Sequence, residues 1–181
     1  MSRSTSAEGP TMKAAMIVAV VSAMLAFATS AGWSQQPDKE HADLAKALND
    51  AKIPLQGGLA ASAKEGKPIS AKYEVEDGKL QLSVYTMKGD KFSEVIVDHM
   101  TGKVTKAEPI THAEDLTAAK AQSEAMAKAK RSLDAAASEA MKENKGYRVV
   151  SVMPALKDGH PVADVTLVKG TDWKTVSEKL D

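Results

Sequence analysis

From His41 onward, apolar residues recur at helical steps. Leu44, Ala47, Leu48 and Ala51 fall three or four apart and draw one stripe along a helix. Pro54 interrupts the stripe, and its fixed φ suits the first turn of a second helix, Leu55 to Lys64, ended by Gly66. The period then switches to two. Ala71, Tyr73 and Val75 alternate with Lys72, Glu74 and Glu76, and Asp77-Gly78 makes a hairpin turn. Leu80, Leu82 and Val84 alternate on the return strand. Lys88-Gly89-Asp90 turns again into a third strand, Phe92 to Val97.

The same order of elements follows a second time. Thr111 and Glu114 have the spacing of a capping box at a helix start, and Leu116, Ala119, Ser123 and Met126 share one face of that helix. Lys120–Glu124 and Glu124–Lys128 are spaced as ion pairs along it. Ser132 caps a further helix, Leu133 to Asn144, or the two run on as one, and Gly146 ends the pattern. Strand periodicity resumes at Val150 and Val152 and turns at Asp158-Gly159. It returns through Ala163, Val165 and Leu167, turns at Lys169-Gly170, and ends with Trp173 to Val176.

Direct comparison of the two halves shows why. DGKLQLSVYTMKGDKFSEV, Asp77 to Val95, returns without a gap as DGHPVADVTLVKGTDWKTV, Asp158 to Val176. The turn residues coincide, Val84 and Val95 match Val165 and Val176, and Phe92 meets Trp173. Chance identity in a biased composition does not readily align turns and core positions together, so an internal duplication is expected. The fold class that follows is α+β: two helix plus three-stranded antiparallel meander repeats, linked by an Ala/Lys/Glu-rich helix. The boundaries read as a flexible segment over 32–40, a first unit over 41–109, a linking helix over 110–131 and a divergent second unit over 132–181. Whether the two meanders share one sheet or form two stays open.

The first 31 residues read differently. Lys13 precedes the charge-free apolar run Ala14–Ala28, and Thr29 and Ala31 suit the small-residue positions of a cleavage site before Gly32. That predicts a signal peptide over 1–31 and a periplasmic or secreted protein. The run is shorter than the ~20 apolar residues of a spanning helix, so no stable membrane insertion is expected after cleavage. Met12 is an alternative start, because Glu8 is unusual in a basic leader.

Charge and composition narrow the partners. The formal net charge is zero over 181 residues, which argues against a nucleic-acid partner. There is no cysteine, and this excludes disulfides, thiolate metal sites, thiol nucleophiles and a lipidated-cysteine anchor.

The run from Ile53 to Pro109 resembles a PepSY domain. The residues that carry the resemblance are an Ala-rich helix ending near Gly66, the Tyr73-Glu74-Val75 strand, the Asp77-Gly78 turn, a strand ending in Val97-Asp98, and Thr101-Gly102-Lys103-Val104. Residues 132–181 look like a divergent second copy. The resemblance implies an α+β fold, export to the cell envelope, no catalytic residues and no cofactor, with a regulatory or inhibitory role towards peptidases.

Candidate chemistry is weak throughout. In Asp98–Lys103 (DHMTGK) two residues separate the aspartate from Thr-Gly, which spoils an aspartic-protease loop, and the turn reading is favoured. His41, His99, His112 and His160 are scattered without metal-ligand spacing. Gly57-Gly58 lacks the context of a phosphate loop and reads as close helix packing. Met126 and Met141 read as core filling, and the Lys/Glu alternation from Lys120 to Lys145 as a solvated face. No catalytic, cofactor-binding or metal-binding residue is assigned. The function expected is a non-catalytic envelope protein that binds a protein or peptide partner on an open sheet edge, with a peptidase one candidate. The alternative is an envelope component acting by self-association.

Overall fold

The computed structural model describes residues 39–181. The signal-peptide reading over 1–31 and most of the lead-in segment lie outside these residues. The described chain runs α1 (Lys39–Ala47), a short 3-10 turn (Leu48–Asp50), α2 (Leu55–Ser62), β1 (Lys67–Glu76), β2 (Lys79–Lys88), β3 (Lys91–Val97) and β4 (Val104–Pro109). It continues through α3 (Ala113–Lys128), α4 (Leu133–Glu143), β5 (Arg148–Lys157), β6 (His160–Lys169) and β7 (Asp172–Lys179). All seven strands join one antiparallel sheet in the order β4-β3-β2-β1-β5-β6-β7. The two meanders therefore meet at β1 and β5, where Ala71 lies opposite Val152 and Lys72 opposite Ser151.

Period-two alternation sorts the side chains onto two faces. Register places Ala71 with Val84, Val84 with Val95, Leu82 with Val97 and Val152 with Val165 on one face. All seven residues are at most 1% exposed, and burial of each Val or Leu is worth about 1.5–3 kcal/mol. Two helices cover this face. α2 lays Gly58 against Leu82, and Ala136, Ala137 and Ala140 of α4 are fully buried beside it. Gln56 Nε2 on α2 donates to Met141 Sδ on α4 at 3.7 Å.

The opposite face carries Ser70 and Tyr85, which lie across from each other. α3 packs here: Ser70 Oγ donates to Gln122 Oε1 at 2.8 Å, and Tyr85 Oη to Asp115 Oδ1 at 3.1 Å. Trp173, out of phase with core-facing Val176, points the same way and stacks on His41 of α1 with centroids 4.5 Å apart. The helix expected to link the two units and brace them packs against the sheet. Ala119 and Ala125 on it are fully buried, and it spans Ala113–Lys128 within the expected 110–131.

Several expectations need correction. The front meander gains a fourth strand, β4, which pairs Ser93–Val97 of β3. The capping box at Thr111 and Glu114 does not form. β4 holds the chain extended to Pro109 and Ile110 N–H donates to Phe92 O, so His112 becomes the N-cap, without a side-chain cap. Glu114 and Asp115 instead place negative charge in the first turn, where the helix dipole favours it. Lys120–Glu124 and Glu124–Lys128 are not among the ion pairs of the described residues. Lys128 Nζ reaches Gly159 O at 3.5 Å, and Lys142–Glu139 is the pair on these helices, at 3.4 Å. Val75, expected on the buried face, is 38% exposed because the β1–β2 hairpin runs past the core. Ser132 does cap α4, its Oγ accepting from Ala135 N–H at 3.1 Å, and an extended Ala129 separates α3 from α4.

Candidate functional site

The sheet has two edges, and they differ. At β7 the chain end is tied down: Leu180 O accepts from the amides of Lys130 and Arg131, at 2.6 and 3.0 Å, and Arg131 Nη1 donates to Lys179 O at 2.9 Å. At β4 every residue is exposed. An antiparallel edge strand leaves alternate backbone N–H and C=O groups pointing away from its partner, so β4 offers a row of donors and acceptors to a further strand. Lys106 and Glu108 form an ion pair at 2.8 Å along it.

Beside this edge lies a stretch of the α3-side face lined by polar groups. Lys72 and Glu74 pair at 2.5 Å, and Gln81 Nε2 reaches Glu74 Oε1 at 3.5 Å. Ser83 Oγ donates to Glu94 Oε1 at 2.5 Å, and Tyr85 lies opposite Glu94 in the ladder. Burial is the largest influence on Glu94 and holds its carboxyl above the ordinary range. Glu74 and Glu76 push the same way, while Ser83 and Lys72 pull it down. The Tyr85 phenol is also raised, by burial first and then by Asp115 and Glu94.

A carboxyl raised in the folded state holds its proton more tightly there than in the unfolded chain. Its contribution to stability therefore falls as pH rises from the ordinary carboxylate range through the raised value. Glu94→Gln keeps an acceptor for Ser83 and removes the buried charge. It should raise Tm at about pH 7 and change it little at about pH 4, where the carboxyl is largely protonated in both states. Thermal melts across that range check this, and an equal shift at both ends would refute it.

Two grooves flank the sheet. One, of about 610 Å³, is open at the β1–β2 hairpin and includes Asp50, Glu76, Asp98 and His99 in its lining. The other, of about 390 Å³, lies between α2, the start of β1 and the α3–α4 connection. Gln56, Leu59, Lys67, Met126 and Arg131 are among the residues that line it.

The residues singled out in the sequence do not converge. Asp98 Oδ1 accepts the amides of Met100 and Thr101 at 2.8 and 2.7 Å, and Gly102 has φ of +73°, a turn as expected. Those amides, Thr101 first, lower the Asp98 carboxyl below its ordinary range. The next carbonyl, His99 O, accepts from Lys52 and Ile53 at 2.9 and 3.0 Å and so fixes the segment leading into α2. His41 stacks on Trp173, His112 begins α3, and His160 meets Asp181 at 3.0 Å, so the histidines stand at separate places. A Cβ at Gly57 would meet Ile53 Cγ2 at 2.5 Å, and one at Gly58 would meet Leu82 Cδ2 at 2.5 Å, which is close packing. Met126 is buried at the edge of the core and Met141 is half-buried against it. Among the described residues, no cluster suited to a metal ion and no helix long and apolar enough to cross a membrane occur. The 390 Å³ groove escaped the sequence reading, although the basic run Lys128–Arg131 before Ser132 was its available signal.

Comparison with known proteins fits the front half. Residues 45–108 match the family model of the peptidase propeptide and YPEB domain, PepSY. The match runs from late α1 to β4, and PepSY domains are generally non-catalytic propeptide or protein-interaction domains. No curated protein matches the chain. Among solved structures, a predicted lipoprotein of Clostridium difficile 630 is similar, at 15% identity and a TM-score of 0.42, over 73% of this chain and 89% of that one.

Proposed function

We propose that this is a non-catalytic protein of the cell envelope that binds an extended segment of another protein by strand addition along β4. The observation that carries this reading is the exposure of all six β4 residues at a sheet edge, in contrast to the tethered end of β7. The leader-like run Ala14–Ala28 supports export, and the PepSY match supports a binding role over catalysis. A partner captured from envelope extract should slow hydrogen exchange of β4 amides while leaving β7 unchanged. Protection at β7, or at neither edge, would refute the assignment. Where that partner is a metallopeptidase, its peptide hydrolysis should fall in step with occupancy.

The architecture is read as two copies of one module. Ala71 and Val152, which pair at the sheet centre, are separated by the same offset as the repeated segments. Register shifts fall at Pro68/Ser70 and Val149/Ser151, again at that offset. So do the positive φ values of Asp77 and Asp158, near +50°. These coincidences support the reading of a local twofold relation through the β1–β5 seam.

Self-association is the second reading, and one feature favours it. Lys106 and Glu108 flank Ala107, so an antiparallel second copy of β4 would set each opposite its counter-charge. Light scattering that finds only monomer at high concentration would end that reading.

A further inference from the structure

The register of β4 decides which of its backbone groups are free. Ile110 N–H donates to Phe92 O at 3.0 Å, and antiparallel partners exchange such bonds at every second position. Glu108 and Lys106, opposite Glu94 and Ile96, therefore turn their backbone groups inward to β3. Ala107 and Pro109 turn theirs outward. Proline fits that position because it has no N–H to leave unpaired. The regular stretch ends where the register shifts between Ile96 and Val97. Its free edge is the Ala107 N–H with the carbonyls of Ala107 and Pro109, so an added strand is centred on Ala107.

The side chains of β4 differ between its faces. Val104, Ala107 and Pro109 lie opposite Val97, Val95 and Ser93, on the side of the sheet that holds the core. Of the four large apolar residues left exposed among the described residues, two stand here, Val104 and Met100 in the turn before it. Lys106 and Glu108 lie on the other side, paired with each other at 2.8 Å. Glu108 also lies opposite Glu94, and like charges opposed across a ladder are destabilising. A base on the outer side of Glu108 would offset that repulsion, whereas a further acid would add to it.

We propose that β4 takes an amphipathic extended segment of another protein, antiparallel and in one register. A base lies opposite Glu108, an acid opposite Lys106, and apolar residues opposite Ala107 and outside the charged pair. Read from its N-terminus, the segment runs apolar, basic, apolar, acidic, apolar. Antiparallel pairing runs its hydrogen bonds straight across, so the residue facing Ala107 exchanges both of its own with it. A second copy of β4 would meet the charge rule through Lys106-Ala107-Glu108, but not the rest. It would set polar Thr105 opposite Pro109 twice, and each Pro109 would leave a carbonyl of the other copy without a donor in the ladder. The proposal rests on strand addition along β4 and specifies what that edge accepts.

Amide spectra of the isotope-labelled full chain test this with two peptides of one composition, acetyl-Ser-Val-Lys-Val-Glu-Val-Ser-amide and acetyl-Ser-Val-Glu-Val-Lys-Val-Ser-amide. The first should shift the outward Ala107 amide more than the inward amides of Lys106 and Glu108. The second should bind at least about fivefold more weakly. Methylating the central valine nitrogen of the first peptide removes the donor to Ala107 O and should weaken it by about tenfold. Lys106→Glu combined with Glu108→Lys, both at exposed positions, should invert the order of the two peptides. The proposal is overturned by a silent Ala107 amide at millimolar peptide, or by an order that the exchanged charges do not invert. Equal binding of both peptides at Ala107 overturns it too, while leaving strand addition standing; a response at β7 instead overturns both. Light scattering that finds a dimer which the first peptide does not dissociate would give the edge to a second copy and overturn the proposal.

Discussion

Gly58→Val is expected to destabilise the fold by about 3 kcal/mol, and Leu82→Ala by about 2–5 kcal/mol, while the double variant costs less than their sum. Gly58 sits inside α2, where glycine ordinarily loses about 1 kcal/mol relative to alanine, so its presence needs a compensating reason. The reason is distance. A Cβ there would lie 2.5 Å from Leu82 Cδ2 and 2.9 Å from Leu82 Cγ. Leu82 has no room to retreat, being fully buried between Tyr73 on one flank and Val97 on the other. Gly58→Val therefore overpacks the contact, and Leu82→Ala empties it. In the double variant the introduced isopropyl group occupies part of the space the leucine leaves, and the interaction should recover about 1–2 kcal/mol. Urea denaturation of the four chains of this cycle measures it directly. Strict additivity would show that the helix and the sheet do not meet at Gly58 and Leu82.

That contact also marks how far sequence reasoning reaches. Gly57-Gly58 was legible as close packing because neither glycine stands at a turn, yet nothing in the sequence named Leu82 as the neighbour. Turns were the most legible features. Asp77-Gly78 and Asp158-Gly159 adopt the positive φ that their chemistry favours, and strand alternation around Leu82, Val84, Ala163 and Val165 predicts which residues are buried. β4 was illegible for a physical reason: an edge strand exposed on both faces needs no alternation, and Val-Thr-Lys-Ala-Glu-Pro shows none. The capping box failed because strand pairing at Pro109 and Ile110 outweighed a local preference at Thr111. The polar groups around Glu94 and the groove by Gln56 come from segments distant in sequence. Residues 56–60, 67–68 and 126–134 meet only once α2 and α4 share a face of the sheet.

The second large effect tests how the halves hold each other. Arg148, at the start of β5, donates from Nη1 to Leu48 O and from Nη2 to Ala51 O at 2.6 Å. It thereby pins the turn between α1 and α2 to a strand of the rear meander, and its charge also lowers the Tyr73 phenol that burial raises. Lys67, one repeat offset earlier, reaches Met126 O near the end of α3 at 3.3 Å. Each meander's first strand thus holds the helical segment that precedes the other's, a reciprocal clasp that supports the two-copy reading. It also implies that residues 45–108, the PepSY match, rely on contacts from outside that span. Arg148→Met should cost about 3 kcal/mol, because two half-buried carbonyls lose a charged donor. Arg148→Lys should fall between, since one ammonium lacks the planar fork that serves both carbonyls. In hydrogen exchange, Arg148→Met should speed residues 39–53 more than the paired amides of β1 and β2. Unchanged exchange in that segment would mean that the clasp does not fasten it, and that the front half stands without the rear.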